Sequence, residues 1–298
     1  YTQWLDERGG LQADLTVTRL DEDRFLVVAS DTAHGHALGW LNRHTAQVDC
    51  LVTDVTAAYA QLNVQGPRSR EVLAAASSSD VSAEAFAFRD ARWIDVGGAW
   101  VLAVRITYVG ELGWELYVPV EHAGHVYETL LAAGEPAGLR HVGLKALGSL
   151  RLEKAYRDYG HDLDNTDDIA SVGLGFAVFK DKPAEWIGRG PALAALAAAP
   201  PRSRLVQVLL ADPEPLLFHA EIVLRDGIPV GDVRSGSYGW TLGGAVGLAM
   251  VSHPDGAPVT ADWLGSGTWE VDIAGERHAV QISLRPLYDP TSGRVTRA

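Results

Sequence analysis

Two carboxylates lie in short segments whose residue alternation predicts β-strands. Asp14 shares a strand face with Thr16 and Thr18, and every residue on that face is polar. Glu115 follows Trp114 and lies among apolar neighbours. A carboxylate can hold a negative charge, exchange a proton and accept several hydrogen bonds, so each residue could act on a polar ligand. The pattern alone is also compatible with solvated side chains on a strand surface.

The segment around Glu115 has the pattern of a β-hairpin. Apolar residues alternate before a glycine-containing turn and again after it, at Leu102, Val104, Ile106 and Tyr108 and then at Trp114, Leu116 and Val118. This alternation puts Glu115 on the strand face opposite Trp114. Tyr108, on the other arm, could line a pocket by stacking or by donating its hydroxyl, or could pack in the core beside Ile106.

Other reactive residue types do not form a recognisable nucleophilic or metal-binding pattern. His34 and His36 lack a third ligand in the sequence around them, so surface or helix-start roles are favoured. The SGSYG segment at 235–239 lacks the first glycine of a GxSxG nucleophile motif. The glycine-rich run at 241–247 lacks the spacing of a dinucleotide-binding fingerprint. We therefore predict neither a nucleophile nor a metal.

The composition of the 298-residue chain favours a globular protein without nucleic-acid or membrane partners. Its formal net charge is −13 and its pI is about 5.1, whereas nucleic acids and anionic membranes favour basic surfaces. No apolar run reaches the ~18–20 residues that cross a bilayer. The single cysteine, Cys50, excludes an intrachain disulfide and is expected to be a small buried apolar residue. A cytoplasmic location fits this cysteine content.

Hydrophobic periodicity predicts an α+β chain in two parts. Strand patterns fill residues 1–29, and helical spacing predicts helices over 36–44, 68–76, 121–133 and 142–156. An Ala-rich helix near 191–199, followed by Pro200 and Pro201, predicts a boundary between domains 1–200 and 201–298. Beyond that boundary, short β-type runs separated by turns predict a small sheet or barrel.

Six longer strings are informative together: YTQWLDERGGLQADLTVTRL, LNVQGPRSREVL, ITYVGELGWELY, GLKALGSLRLEK, HDLDNTDDIASVGLGFAVFKDKPAEWIGR and VGDVRSGSYGWTLGGAVGLAMV. They resemble segments of the glycine-cleavage T-protein family, whose members bind tetrahydrofolate, and they span nearly the whole chain. DLTVTRL, SLRLEK and GLGFAVF are most similar to the folate-binding half of dimethylglycine and sarcosine dehydrogenases. Leu147 stands where the T-protein has a folate-contacting arginine, so that contact is not carried over.

The resemblance implies an α+β fold in which an antiparallel-sheet folate-binding unit of the T-protein type precedes a small C-terminal β-barrel. It begins inside the family's first folding unit. We therefore expect the N-terminal part of that unit, and the flavin domain of the dehydrogenases, to be absent from this chain. FAD would then be bound only by an absent or partner domain.

The resemblance also implies roles for five residues. Asp14 matches the family's essential aspartate, which lies beside the reactive nitrogens of the folate, stabilises an incoming iminium and relays a proton. Glu115 would accept two hydrogen bonds from the pterin. Tyr108 would line the same pocket, and Phe176 and Tyr288 match positions around the folate, although Phe176 could equally belong to the core.

The implied function is tetrahydrofolate-dependent one-carbon transfer. An iminium or formaldehyde unit, released by oxidative demethylation of a methylated amine such as dimethylglycine or sarcosine, would be captured as 5,10-methylenetetrahydrofolate. The partners would be folate, this iminium and a flavin oxidoreductase domain or subunit. The alternatives are a glycine-cleavage-type aminomethyltransferase, a flavin-free folate-dependent demethylase and, in another class, a non-catalytic folate-binding or scaffold module.

Overall fold

A computed structural model describes residues 1–198 and 200–296 of the chain. Each of two compact units is assembled from separate stretches of sequence. The first unit contains Tyr1–Val17, Val27–Ala37 and Gly148–Pro290. The second contains Thr18–Leu26, Leu38–Leu147 and the described residues from Thr291 onward. The domain boundary at residue 200 remains a prediction.

Helices occur where the apolar periodicity predicts them, although their ends differ. Their bounds are α1 (His34–Thr45), α2 (Ser69–Ala76), α3 (Ala123–Gly134), α4 (Leu144–Glu153), α5 (Arg189–Ala197), α6 (Ala261–Leu264) and α7 (Gly293–Thr296). Helix α4 is shorter than the predicted 142–156 because Ala155 has a left-handed φ of 52°. The amide of Tyr156 donates to the Arg151 carbonyl at 2.9 Å, a bond that closes the helix end.

The first sheet is formed by the N-terminal strands in the order β1 (Thr2–Leu5), β2 (Leu11–Arg19) and β3 (Phe25–Ala29). Strands β1 and β2 pair antiparallel, and their register places Gln3 opposite Asp14. Leu11 and Ala13 are fully buried, so the side chain of Asp14 lies on the other face of β2. The polar face recognised in the sequence is therefore a real strand face.

The second sheet has the order β4 (Tyr59–Gln65), β7 (Gly113–Pro119), β6 (Ala99–Val104) and β5 (Ala91–Val96). One of its faces contributes Trp114, Leu116 and Val118 to a core shared with α2 and α3. The alternation that indicated this hairpin is correct for β7, and it places Glu115 on the face opposite Trp114.

The first arm of the predicted hairpin is shorter than expected. Strand β6 ends at Val104, so Ile106 and Tyr108 lie in the connection to β7 and not on a strand. Here Thr107 accepts hydrogen bonds from the amides of Val109 and Gly110, both at 3.1 Å. These local bonds replace the strand ladder.

The C-terminal strands close into a barrel of six strands in the order β10-β11-β8-β13-β12-β9. Their bounds are β8 (Ser203–Leu210), β9 (Ile222–Arg225), β10 (Ile228–Gly239), β11 (Gly244–Ser252), β12 (Trp269–Ile273) and β13 (Glu276–Ser283). Strand β11 is apolar and buried from Gly244 to Val251, as is typical of a strand that is covered on both faces. Ala249 belongs to the core inside the barrel, whereas Leu248 and Met250 pack in a second core with Leu5 and Leu152. The α+β fold with a C-terminal barrel is thus confirmed.

Cys50 is exposed, so the prediction that it is buried was wrong. It follows α1 in a stretch without regular secondary structure, and its neighbour Leu51 is also exposed, so no core element covers either residue. No helix in the described part of the chain is long and apolar enough to cross a membrane. Within residues 1–198 and 200–296, no group of three or more His, Cys, Asp or Glu side chains has the geometry to hold a metal ion.

Candidate functional site

Asp14 is a half-buried carboxylate held by two hydrogen-bond donors. The Gln3 amide Nε2 donates to Asp14 Oδ1 at 2.7 Å, and the Tyr1 hydroxyl donates to Oδ2 at 3.0 Å. Burial raises the pKa of Asp14, while the two donors and the positive charge of Arg157 act in the opposite direction. The carboxyl group is therefore held in one orientation, and its pKa lies above the ordinary value.

Gln3 and Tyr1 are site residues that the sequence reasoning missed. Gln3 lies opposite Asp14 only because the register shifts between Trp4 and Leu5, so counting outward from the Gly9-Gly10 turn would not have identified it. Its carbonyl Oε1 is buried and has no hydrogen-bond partner among the described residues. A buried acceptor beside a carboxylate suits a ligand that presents N–H donors.

Tyr1 connects Asp14 to Phe176. The Tyr1 and Phe176 rings are nearly parallel, with centroids 6.2 Å apart and planes inclined by 16°. Phe176 is 73% exposed, so it does not belong to the core, and its ring is open to contact by a ligand. The structure thus places Asp14 and Phe176 on either side of Tyr1.

Arg157 provides the positive charge near Asp14. Its guanidinium donates from Nε to the Val172 carbonyl at 3.1 Å and from Nη1 to the Ala155 carbonyl at 2.9 Å. The guanidinium interacts electrostatically with both Asp14 and Tyr1, and burial lowers its pKa. No sequence signal distinguished Arg157 from other arginines, because its position depends on the left-handed turn at Ala155 after α4.

Glu115 lies in the second unit, on β7, with Asn63 of β4 directly opposite. The Tyr117 hydroxyl donates to Glu115 Oε2 at 2.6 Å. Burial raises the pKa of Glu115, and it also raises the pKa of the Tyr117 hydroxyl. Tyr117 was missed as a site residue, although its spacing of two from Glu115 places both on one strand face.

The two remaining predicted residues have different surroundings. Tyr108 is half-buried in the connection between β6 and β7 in the second unit. Tyr288 is half-buried in the first unit, where the Lys154 ammonium lies 5.4 Å from its ring centroid. Lys154 is almost fully buried and forms an ion pair with Asp289 at 2.5 Å. The first unit thus contains Asp14, Phe176 and Tyr288, and the second contains Tyr108 and Glu115.

A three-stranded sheet with a half-buried carboxylate, a second antiparallel sheet and a six-stranded barrel define a mixed α+β protein. The GCVT N-terminal domain family matches residues 1–182, and the glycine cleavage T-protein C-terminal barrel domain matches residues 203–289. The chain belongs to the glycine cleavage T-protein family. This confirms the resemblance noted in the sequence.

Known relatives and a solved structure agree with this assignment. Over 295 residues the chain is 41% identical to 4-methylaminobutanoate oxidase (formaldehyde-forming) of Paenarthrobacter nicotinovorans, covering 99% of this chain and 35% of that protein. It is 32% identical to mitochondrial sarcosine dehydrogenase of Homo sapiens, covering 99% of this chain and 34% of that protein. The chain therefore spans about a third of the length of both relatives.

The fold also matches the crystal structure of glycine cleavage system aminomethyltransferase T from Bartonella henselae. The TM-score is 0.83 at 24% sequence identity, and the match covers 97% of this chain and 76% of that chain. At this identity the likeness establishes the shared fold.

Proposed function

We propose that this chain is a folate-dependent enzyme unit that transfers a one-carbon group to tetrahydrofolate and forms 5,10-methylenetetrahydrofolate. The group would arrive as an iminium or formaldehyde released by oxidative demethylation of a methylated amine, such as dimethylglycine or sarcosine. The observation that carries this proposal is the half-buried Asp14 carboxylate with its two donors. The printed name of one relative, a formaldehyde-forming oxidase of a methylamino acid, supports the choice of substrate class.

The residues present fit tetrahydrofolate. A pterin offers an amino group and a ring N–H side by side, which suit the half-buried carboxylate of Glu115. The partnerless Oε1 of Gln3 offers a second buried acceptor, close to Asp14. When bound, tetrahydrofolate supplies the amine nitrogens that accept the one-carbon group.

Each residue has a distinct proposed role. The Asp14 carboxylate stabilises the positive charge of the incoming group and takes up a proton as the carbon–nitrogen bond forms. Its low-dielectric surroundings strengthen this electrostatic effect. Tyr1 and Gln3 hold the carboxylate in one orientation, and Glu115 binds the pterin. Tyr108, Phe176 and Tyr288 are proposed to line the folate site.

FAD is proposed to bind to a flavin domain or subunit outside residues 1–298, which would oxidise the amine. The relatives exceed this chain about threefold in length, which leaves room for such a domain in those proteins. A cytoplasmic location is also proposed.

The Asp14→Asn variant tests the catalytic role. The amide keeps the shape and can accept hydrogen bonds, but it cannot hold a negative charge or take up the proton. Binding of 5-formyltetrahydrofolate should stay within about twofold, whereas the catalysed condensation of formaldehyde with tetrahydrofolate should slow by about 10²-fold or more. The uncatalysed reaction is measured alongside and subtracted. Asp255→Asn, at a side chain that is 89% exposed, serves as the control and should change neither quantity.

The same experiment separates the catalytic proposal from the non-catalytic alternative, and the one-carbon donor distinguishes the other two. Unchanged turnover in Asp14→Asn would contradict the catalytic proposal and favour a non-catalytic folate-binding or scaffold module. A glycine-cleavage-type aminomethyltransferase would instead use an aminomethyl group on a lipoyl carrier protein as donor. A flavin-free folate-dependent demethylase would consume the methylated amine without an oxidase.

A further inference from the structure

The segment that carries Tyr288 follows the last strand of the barrel and does not belong to it. Strand β13 ends at Ser283, and residues 284–290 have no regular secondary structure. Within this segment, Asp289 has a left-handed φ of 46°. The backbone hydrogen bonds of the sheet therefore do not fix the Tyr288 ring, and its place depends on contacts with side chains from other elements.

Gln207 holds this segment through the residue before Tyr288. Gln207 lies on β8 and is only 1% exposed. Its side-chain oxygen accepts a hydrogen bond from the Leu287 amide at 2.7 Å, and its Nε2 donates to the carbonyls of Leu152 and Glu153 at 2.7 and 3.2 Å. A buried amide side chain is costly unless it is hydrogen-bonded, and these bonds satisfy both of its ends. Gln207 thus bridges the end of α4 and the Tyr288 segment.

Lys154 holds the same segment through the residue after Tyr288. Lys154 directly follows α4 and is 1% exposed, and its ammonium pairs with the Asp289 carboxylate at 2.5 Å. The same ammonium lies 5.4 Å from the centroid of the Tyr288 ring, within the range of a cation–π interaction. Because desolvation offsets most of its Coulomb energy, a buried ion pair adds little net stability, but it fixes the two side chains relative to each other.

The end of α4 also determines the surroundings of Asp14. The left-handed turn at Ala155 follows Lys154, and the Ala155 carbonyl accepts a hydrogen bond from Arg157 at 2.9 Å. Arg157 in turn provides the positive charge near Asp14. One helix end therefore places both the Tyr288 segment and the cation beside the carboxylate.

We propose that Lys154 and Gln207 are positioning residues that hold the Tyr288 ring in place for the ligand. This assignment rests on the function proposed above, in which Tyr288 lines the folate site. Neither side chain contacts the ligand: Lys154 acts through Asp289 and the Tyr288 ring, and Gln207 acts through the Leu287 amide. Without these anchors the ring occupies several positions, and ordering it then weakens ligand binding.

A double-substitution cycle in folate affinity tests this assignment. Calorimetry with 5-formyltetrahydrofolate compares the unmodified chain, Lys154→Met, Tyr288→Leu and the combined variant. Lys154→Met should weaken binding by about tenfold in the unmodified chain, but by less than about twofold in the Tyr288→Leu background. A merely structural role would weaken binding equally in both backgrounds. Lys182→Met, which removes the same charge from an exposed lysine of the first unit, should leave the affinity unchanged.

Asp289→Asn is the second variant, in case Lys154→Met does not fold. It removes one charge of the ion pair, and asparagine tolerates the left-handed φ of this position. It should weaken binding in the unmodified chain and not in the Tyr288→Leu background. Equal weakening in both backgrounds, or no weakening in either, would overturn the assignment.

Hydrogen exchange separates this assignment from the proposed function. If the unmodified chain binds no folate, the proposed function fails, but the anchoring of Tyr288 is still measurable. In Gln207→Met and Asp289→Asn, the amides of residues 284–290 should exchange about tenfold faster, while those of β11 should not change. This result would support the positioning of Tyr288 whatever the ligand is. Unchanged exchange in residues 284–290 would overturn it.

Discussion

Asp14 and Glu115 are both half-buried strand carboxylates, but their partners differ. Asp14 accepts hydrogen bonds from an amide and a phenol and lies in the field of Arg157. Glu115 has a tyrosine hydroxyl as its partner and no cation that lowers its pKa. The pKa of the same functional group is thus set by different surroundings in the two positions, which suits the proton-transfer role proposed for Asp14 and the ligand-binding role proposed for Glu115.

Glu115 should make the stability of the protein depend on pH. Burial raises its pKa above the ordinary 4.5, so the folded state holds this proton more tightly than the unfolded state. The contribution of Glu115 to the stability of the folded state is therefore most favourable below the pKa that Glu115 has in the unfolded state. It is lost as the pH rises through the pKa that Glu115 has in the folded state. Glu115→Gln, which can still accept the Tyr117 hydrogen bond, should raise the melting temperature at pH 8. This gain should shrink as the pH falls towards about 4.

Thermal unfolding followed by circular dichroism at several pH values measures this effect. Glu121→Gln is the matched control, since it removes an exposed carboxylate from the same unit and leaves the half-buried Glu115 in place. A Glu115→Gln variant that is less stable than the parent at pH 8 would show that the carboxylate is stabilised by its surroundings.

At this scale the sequence predicted the carboxylates but not their partners. Asp14 and Glu115 stand out because a polar residue alternates with buried ones. Gln3 and Tyr1 become partners only through the register of β1 on β2, which includes an irregularity between Trp4 and Leu5. Arg157 depends on a backbone turn that apolar periodicity does not encode.

Helix α5 begins directly after Gly188, and the local structure requires a glycine at this position. Gly188 has a φ of 80°, and a Cβ there would lie 2.5 Å from the Asp6 carbonyl oxygen and 2.9 Å from Leu5 Cβ. Gly188→Ala should therefore destabilise the protein by about 2 kcal/mol or more, through backbone strain and the clash with β1 and its turn. Urea-induced unfolding measures the change.

Gly190→Ala is the control within the same helix. A Cβ at Gly190 would meet no atom within 4 Å, so alanine should stabilise α5 by about 0.5–1 kcal/mol. Similar effects of the two substitutions would mean that Gly188 is not constrained as described.

The helices and strands were largely predictable, because the spacing of apolar residues and the turn residues between them depend on neighbouring positions in the sequence. Helix α3 and the strands of the barrel are examples. The first arm of the Glu115 hairpin was not, since Thr107 forms side-chain hydrogen bonds that compete with the strand ladder. The alternation of Ile106 and Tyr108 continues in sequence after the strand has ended.

At the scale of the whole molecule, the barrel shares a core with segments far away in sequence. Leu205, Leu248 and Met250 pack with Leu5 and Leu152. A fragment of residues 201–298 would expose these side chains to water. We expect the isolated fragment to bind an apolar dye and to lack the cooperative thermal unfolding of the full chain. Cooperative unfolding without dye binding would show that the barrel folds alone.

The sequence predicted the fold class and the order of its parts, but not this shared core. From Gly244 to Val251, strand β11 is a continuous run of apolar residues. This run indicates burial on both faces without specifying which residues cover them. The residues that cover its second face come from β1, α4 and their neighbours, which are close only after folding.

The closed barrel differs from the two sheets in its exposure of backbone. Each of its six strands pairs on both sides in the described structure, whereas β1, β3, β4 and β5 each have one open side. Unpaired strand edges are the sites at which foreign strands add and aggregates grow. The barrel offers no such template, so a partner protein must recognise it through side chains. Resistance to strand addition, and with it to amyloid-type assembly, is therefore greatest in the C-terminal third of the chain.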